Sequence, residues 1–187
     1  MSELAETIVL GPEEEATRLW QGAQEAFEKA GSDLVSLCES LDLGIRAAEI
    51  LVIQRLQPMN ADFPATIGLL LESPVPEVDL NRDSVSAPNT LQFTDILDLL
   101  SDEELECASP GLHRGWEDRR FACRRSRVTA QGAVGIVLSE AEREQLLLLA
   151  AYRNRIFRYP PPVRIVPGEV LPAFAALKSL VGRLLEA

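Results

Sequence analysis

Cysteine, long apolar runs and a basic N-terminus are scarce or missing in this sequence. The three cysteines, Cys38, Cys107 and Cys123, are too few and too scattered for a disulfide framework, which is typical of a reducing compartment. No apolar run approaches the length that spans a bilayer. The first fifteen residues are acidic, whereas a secretory or organellar targeting segment would be basic. We therefore expect a cytoplasmic protein that has no association with a membrane.

Motifs that carry enzyme chemistry are also few. No serine has a nucleophile-elbow pattern around it, and no glycine-rich loop is followed by the Lys-Ser/Thr pair that cradles phosphates. The single histidine, His113, lies between Cys107 and Cys123, and Cys38 would complete a set of four zinc ligands. The spacing C-x5-H-x9-C lacks the close pair of a zinc loop, so we expect buried cysteines, no metal and no cofactor.

Charge is distributed unevenly along the chain. Residues 1–110 hold 22 Asp/Glu and 5 Lys/Arg, a balance of −17, whereas residues 111–187 hold 7 and 13, a balance of +6. Sixteen of the eighteen basic residues are arginine, which makes bidentate contacts with phosphate, so one interpretation is a basic face for a polyanion. We favour pairing of the two halves within one fold, because an acidic protein is repelled by nucleic acid at long range.

The clearest helix is predicted between Ser139 and Tyr159. Ser139 and Glu142 form a capping box, in which each side chain accepts a hydrogen bond from a free backbone N–H of the first turn. Glutamates lie near its start and arginines near its end, as the helix dipole favours. The segment Leu146–Tyr152 is apolar without interruption, which predicts a central helix surrounded by others. The three consecutive prolines after Tyr159 end it.

Apolar residues recur at helical spacing in three further segments. A first helix opens at Gly11-Pro12 and closes at Gly31. Ser32 is expected to cap a second helix, which runs to Leu56 either as one helix or as two with a kink at Gly44. A last helix begins at Gly168-Glu169 and places on one face Leu171, Phe174, Leu177, Val181 and Leu184.

The middle of the chain is less regular. Prolines, asparagines and aspartates make residues 57–89 an irregular connection. Thr94 is expected to cap a short helix, and Ser101 with Glu104 to cap the next. Residues Thr129–Leu138 indicate a small strand or hairpin edge, or an extended link.

Helical segments dominate this pattern, and no strands alternate with them in the rhythm of a parallel sheet. The sequence predicts an all-α fold, an up-and-down helical bundle with a long irregular middle segment and at most a minor β element. With 187 residues, 47% of them hydrophobic, we expect a single domain that covers residues 1–187.

The segment Tyr152–Ile156, Tyr-Arg-Asn-Arg-Ile, resembles the HEPN family (higher eukaryotes and prokaryotes nucleotide-binding domains). In that family an Arg-Asn pair near the end of a buried helix begins a motif of arginine, a short spacer and histidine. The Arg-Ala-Ala-Glu segment Arg46–Glu49, the Thr-Leu-Gln-Phe segment Thr90–Phe93 and the final amphipathic helix look similar as well. The resemblance extends loosely over Thr17–Met59 and Thr90–Leu185, and it implies a HEPN-like helical bundle.

HEPN members with the full motif are often metal-independent ribonucleases in toxin–antitoxin pairs and antiviral defence, with a site between two copies of the domain. The resemblance implies a bacterial system of this kind, a homodimer or a hetero-complex with another protein, and RNA as a ligand. Arg153 matches the motif arginine and Asn154 the asparagine after it, but Arg158 stands where histidine is expected. Because arginine is permanently protonated, Arg158 cannot act as a general base, so we expect weak or absent ribonuclease activity.

Several arginines are candidates for contact with RNA, because Trp116 and Phe121 near them offer stacking beside phosphate pairing. Together with one arginine of the predicted central helix, they are Arg119, Arg120, Arg124, Arg125 and Arg155. The alternative, which we favour for the arginine cluster, is a helix whose arginines pair with the acidic residues 95–106.

Arg153 has a structural interpretation too, since an arginine near the C-terminal end of a helix can pair with an acidic residue of the first half. A second hypothesis of function starts from charge: a non-enzymatic adaptor or inhibitor that binds a basic protein partner through residues 1–110. The surroundings of Arg153 separate the alternatives. A groove shared with a second chain indicates nucleic acid, and a salt bridge buried within one chain indicates a scaffold.

Overall fold

A computed structural model describes residues 11–30, 33–62, 91–102, 124–158 and 166–186. Within these ranges the chain forms six α-helices and one 3-10 helix, and its β structure is limited to one isolated bridge. The α-helices are α1 Pro12–Ala30, α2 Leu34–Leu56, α3 Phe93–Leu100, α4 Arg124–Val134, α5 Glu140–Arg158 and α6 Pro167–Glu186. For this part of the chain, the prediction of an all-α helical bundle is confirmed.

The 3-10 helix Gln57–Asp62 continues α2 directly. The irregular connection predicted for residues 57–89 is therefore wrong for its first six residues. Proline at the second position of this segment has no N–H to donate, and the tighter 3-10 helix tolerates such a short interrupted run. Residues 63–89, the remainder of that prediction, lie outside the described ranges.

Two predicted capping residues are wrong by one or two positions. Helix α2 begins after Asp33, whose carboxylate accepts hydrogen bonds from backbone N–H groups two and three residues further on, both at 3.1 Å. Asp33 therefore caps α2 in place of Ser32, and its negative charge is favourable at this end of the helix dipole. Helix α3 begins after Gln92, whose N–H donates to the Asp95 carboxylate at 3.1 Å, so Thr94 lies inside the helix.

The capping box predicted for α5 is confirmed. The Glu142 N–H donates to Oγ of Ser139 at 3.4 Å, and the Ser139 N–H donates to Oε2 of Glu142 at 3.0 Å. These two bonds satisfy N–H groups that the first turn cannot pair within the helix.

The extended segment predicted between residues 129 and 138 is much shorter than expected. Helix α4 continues to Val134 and ends at Gly135, whose φ of +73° favours glycine. Leu138 then forms the isolated parallel bridge with Ser101. Its N–H donates to the Leu100 carbonyl at 2.7 Å. The β element is thus a single bridge that joins the end of α3 to the start of α5.

Helix α2, not α5, is the centre of the bundle. It packs against each of the other five α-helices, whereas α5 packs against α2, α3 and α6. The prediction that α5 is surrounded by others is wrong, because Leu147 and Leu148 are half-buried and Ala151 is exposed. Leu146 and Leu149 form the buried side of α5. An uninterrupted apolar run permits burial on every side, but the number of neighbouring helices decides how much of it is covered.

Gly44 lies where α1 and α6 cross α2, and α2 is continuous through it. A Cβ atom at this position would lie 2.8 Å from Cδ2 of Leu177 and 3.4 Å from the ring of Trp20. The missing side chain therefore permits the close crossing. Beside it Phe174 stacks on Phe27, with ring centroids 3.8 Å apart, and closes the contact between α1 and α6.

Arg55, in the last turn of α2, holds the ends of two other helices. Its guanidinium donates to the carbonyl of Val134, the last residue of α4, at 3.1 Å. It also donates to the carbonyl of Leu184, in the last turn of α6. A cation at the negative end of a helix dipole is favourable, and these carbonyls have no partner further along their own helices.

The last helix begins at Pro167, slightly earlier than predicted. Its predicted apolar face is confirmed for Phe174, Leu177, Val181 and Leu184, which are buried. Leu171 is the exception, because 58% of it is exposed.

Candidate functional site

Arg153, the arginine of the predicted motif, is paired with two carboxylates of α2. Its Nε lies 2.9 Å from Oδ1 of Asp42, and one terminal nitrogen lies 3.5 Å from Oε1 of Glu49. The three side chains are only 27%, 28% and 19% exposed, in the order Arg153, Asp42 and Glu49. This is the ion pair within one chain that the structural interpretation of Arg153 predicts.

Glu49 connects the pair to a third helix. Its Oε1 accepts a hydrogen bond from the N–H of Phe93, the first residue of α3, at 3.1 Å. Burial raises the pKa of Glu49 above its ordinary value, while the charge of Arg153 and the Phe93 N–H act in the opposite direction. The Glu49 carboxylate therefore interacts with two groups, the Arg153 guanidinium and the Phe93 N–H, in a place where solvent does little to stabilise its charge.

The cluster of Asp42, Glu49 and Arg153 thus joins α2, α3 and α5, the elements that hold the segments behind the HEPN resemblance. Chemically, it contains one permanent cation and two carboxyl groups. A phosphate that approached Arg153 would compete with both carboxylates and would be repelled by them. Neither acid group is free to donate to an anion while it is ionised. The arrangement suits the fixing of three helices better than the binding of a polyanion.

The other predicted residues of the motif are only partly described. Asn154 is exposed on α5. The backbones of Arg155 and Arg158 belong to the final turn of α5, but their side chains lie outside the described part of the structure. The role of Arg158 in the histidine position therefore stays a prediction.

The predicted RNA-binding arginines fall largely outside the described ranges. Arg119 and Arg120 are not described, and of Arg124 and Arg125 only the backbone at the start of α4 is. Arg127, from the same cluster in the sequence, is only 7% exposed. At this one position the cluster faces the interior, and the pairing of its arginines with the acidic residues 95–106 stays a prediction.

Two further ion pairs were missed by the sequence analysis. Arg143 of α5 lies 2.6 Å from Asp98 of α3, and Arg183 of α6 lies 2.7 Å from Glu142 of α5. The Asp98–Arg143 pair is the more buried, with side-chain exposures of 10% and 15%. An aspartate among the leucines of a short helix was a signal for a buried partner, although it does not identify that partner.

The zinc alternative has no support in the described residues. Cys107, His113 and Cys123 lie outside them, and Cys38 is a half-buried free thiol whose pKa is raised by burial. In the described part of the chain, no group of three or more His, Cys, Asp or Glu is arranged to hold a metal ion. None of the helices in that part combines the length and apolarity needed to cross a membrane.

Comparisons of the chain with protein-family models, with curated proteins and with solved structures gave no match. The relationship to the HEPN family stays a prediction from the segments named above.

Proposed function

We propose that this protein is a non-enzymatic adaptor or inhibitor that binds a basic partner protein through an acidic surface. The observation that carries the proposal is the sign of the exposed charge. Among the side chains that the structure describes, twelve Asp/Glu are exposed against four Lys/Arg. The acids are Glu13, Glu14, Glu25, Glu28, Asp33, Glu39, Asp62, Asp102, Glu140, Glu144, Glu169 and Glu186.

The described arginine side chains of the second half are paired with carboxylates or buried. Arg143, Arg153 and Arg183 are paired with carboxylates, and Arg127 is buried. Of the four exposed basic side chains, Arg18 is paired with its neighbour Glu15 at 2.7 Å. Among the described side chains, the excess of exposed carboxylates is therefore not balanced by exposed basic groups.

Such a surface attracts a positively charged protein over a distance of about 8–10 Å in physiological salt and repels nucleic acid over the same distance. Charge of this kind acts on the rate of encounter and on the choice of partner more than on affinity. It requires no catalytic group, which agrees with the engagement of Arg153 inside the fold.

The test is capture of partners by the purified full chain from a native lysate at about 50 mM and about 500 mM salt, with identification by mass spectrometry. We expect a basic protein that is retained at low salt and lost at high salt, and that rebinds when both proteins are purified. Retention of RNA, or of partners that are indifferent to salt, would contradict the proposal.

A second candidate is a HEPN-like protein of a bacterial defence or toxin–antitoxin system, which binds RNA or a partner with weak or no ribonuclease activity. One observation favours it: Glu49, Phe93 and Arg153, each from a different segment of the resemblance, are in contact. This convergence is what a shared motif would require, although the contact is also explained by packing.

Labelled RNA incubated with the wild-type chain and with Arg153→Ala separates the two candidates. RNA binding or weak cleavage that depends on Arg153 would support the HEPN-like candidate and contradict the adaptor, whereas robust cleavage that depends on Arg153 would also contradict the weak or absent activity expected of a HEPN-like protein without the motif histidine. Lys178→Ala, which removes an exposed positive charge on α6, is the matched control for Arg153→Ala in the RNA assay. Sedimentation of the purified wild-type chain tests the homodimer that the resemblance implies.

A further inference from the structure

We infer that the corner between α1 and α2 docks a basic amphipathic segment of the partner protein. The inference rests on the proposed function and names the surface that would perform it. We call this surface the corner patch and define it by Leu34 and Val35 with three exposed acids from the adjoining turns of the two helices, Glu28, Asp33 and Glu39.

The centre of the corner patch is apolar and open to solvent. Val35 is 72% exposed, the largest value among the exposed large hydrophobic residues of the described chain. Its neighbour Leu34 is 43% exposed. The cap of α2 does not use these two side chains, because Asp33 accepts hydrogen bonds from backbone N–H groups. Single exposed apolar residues are ordinary, whereas two adjacent ones with several acids in the neighbouring helical turns offer an apolar centre for a contact surface.

The acids of the corner patch are brought to these residues by the fold. The N–H of Asp33 donates to the carbonyl of Ala30, so the last turn of α1 meets the first turn of α2. Glu28 lies in that last turn and is exposed. Glu39 follows Val35 by four residues on the same side of α2, which places the two Cβ atoms about 6 Å apart.

The corner patch is net negative. Asp33 receives hydrogen bonds from the hydroxyl and the N–H of Ser36, which lower the pKa of its carboxyl group. The one basic side chain in the same turn, Lys29, lies 3.9 Å from Glu25 and is shared with that acid. An apolar centre with an acidic rim is complementary to a helix that has leucines on one face and lysines or arginines beside them.

Leu171 provides a contrast on α6. It is 58% exposed, but the acid nearest in sequence, Glu169, accepts a hydrogen bond from the Tyr152 hydroxyl at 2.6 Å. An exposed leucine on a different helix, with only one acid near it in sequence, is therefore available as a control.

The experiment measures fluorescence anisotropy of a labelled synthetic helix of about 18 residues, with leucines on one face and lysines on the other, added to the full chain. The same peptide with glutamate in place of lysine is the charge control. We expect the double variant Leu34→Ser/Val35→Ser to weaken binding of the lysine peptide by about tenfold. The control Leu171→Ser should change it by less than about twofold.

A second pair of variants tests the rim. Glu28→Gln/Glu39→Gln should weaken binding about fivefold and reduce its dependence on salt, whereas Glu140→Gln/Glu144→Gln, at the start of α5, should have a much smaller effect. Equal losses from both pairs would overturn the corner patch and leave the proposed function standing. Failure to prefer the lysine peptide over the glutamate peptide would overturn both.

Circular dichroism of each variant confirms that it is folded. Sedimentation of the wild-type chain tests whether a second copy of this chain, in place of a basic segment, occupies the corner patch. A dimer that Leu34→Ser/Val35→Ser abolishes would assign the corner patch to a second copy of this chain and overturn the basic segment as its occupant.

Discussion

The Nε of Arg153 donates a hydrogen bond to Oδ1 of Asp42 at 2.9 Å, although 111 residues separate the two in sequence. The contact joins the basic second half of the chain to its acidic first half. It also occupies the residue on which an RNA-cleaving site would depend, so its energetic contribution is the first property to measure.

Arg153→Ala should lower the free energy of unfolding by about 1–3 kcal/mol, because Asp42 and Glu49 would remain close together without their cation. Urea denaturation measures the change. Lys178→Ala, at an exposed position, should stay within about 0.5 kcal/mol of the wild type. Arg153→Lys should recover only part of the loss, since lysine cannot contact two carboxylates with a planar fork. A loss no larger than that of the Lys178 variant would show that the cluster contributes little to stability.

Stability should depend on pH through Glu49, whose pKa is raised above 4.5 by burial. A carboxyl with a raised folded-state pKa stabilises the protein below its unfolded value and loses that contribution as pH rises through the folded-state pKa. Glu49→Gln removes the titration. The stability of this variant relative to the wild type should therefore increase from about pH 4 to about pH 7, as measured by urea denaturation.

Glu142→Gln is the matched control, for which the stability relative to the wild type should change with pH in the opposite direction. Burial raises the pKa of Glu142, but the hydrogen bonds from Ser139 and the contact with Arg183 outweigh it and leave the pKa lowered. The contribution of Glu142 is present above its unfolded value and is lost as pH falls. Relative to the wild type, this variant should lose stability as pH rises. Parallel trends for the two variants would contradict both assignments.

Gly44→Ala should destabilise the fold, although alanine is the better helix former. The new methyl group would lie 2.8 Å from the fully buried Leu177 side chain, and displacement of that side chain costs about 1–3 kcal/mol. The gain in helix propensity, about 1 kcal/mol, offsets only the lower end of that range. Gly182→Ala in α6 has open space around the new Cβ and should stabilise the protein instead. Thermal unfolding of the two variants compares the signs, and a stabilised Gly44 variant would refute the close crossing.

Ser139→Ala should cost about 1 kcal/mol, because it removes the acceptor for the Glu142 N–H at the start of α5. Ser139→Asp should retain most of the stability, since aspartate is an equally good cap. Ser179→Ala, at an exposed position within α6, should be neutral or slightly favourable. Denaturant unfolding of the three variants measures their free energies of unfolding. Equal values for Ser139→Ala and Ser179→Ala would show that the cap does not stabilise the protein.

The capping box at Ser139 was predictable because every atom involved lies within one turn of helix. For Arg153, the sequence predicted an ion pair with an acidic residue of the first half, but it did not identify Asp42 as that residue. The choice of partner depends on how α5 lies on α2, and no local pattern in the sequence encodes this.

The role of α2 was harder to predict than its existence. Its apolar spacing indicated a long helix, and Gly44 was interpreted as a weak point or a kink. In the fold the same glycine lies against side chains of both α1 and α6, Trp20 and Leu177. The leucine run of α5 gave the stronger apolar signal, yet small residues such as Gly44 and Ala48, which admit neighbours, decide which helix becomes the centre.

Arg55 gives the bundle a property that separate helices do not have. One guanidinium, itself in the last turn of α2, terminates both α4 and α6. Fraying of either helix end would remove one of the two hydrogen bonds that hold the Arg55 guanidinium in place, so we expect amide protons in these final turns to exchange with solvent together, as one cooperative unit. Three chain segments that are far apart in sequence would thereby open and close with a common protection factor.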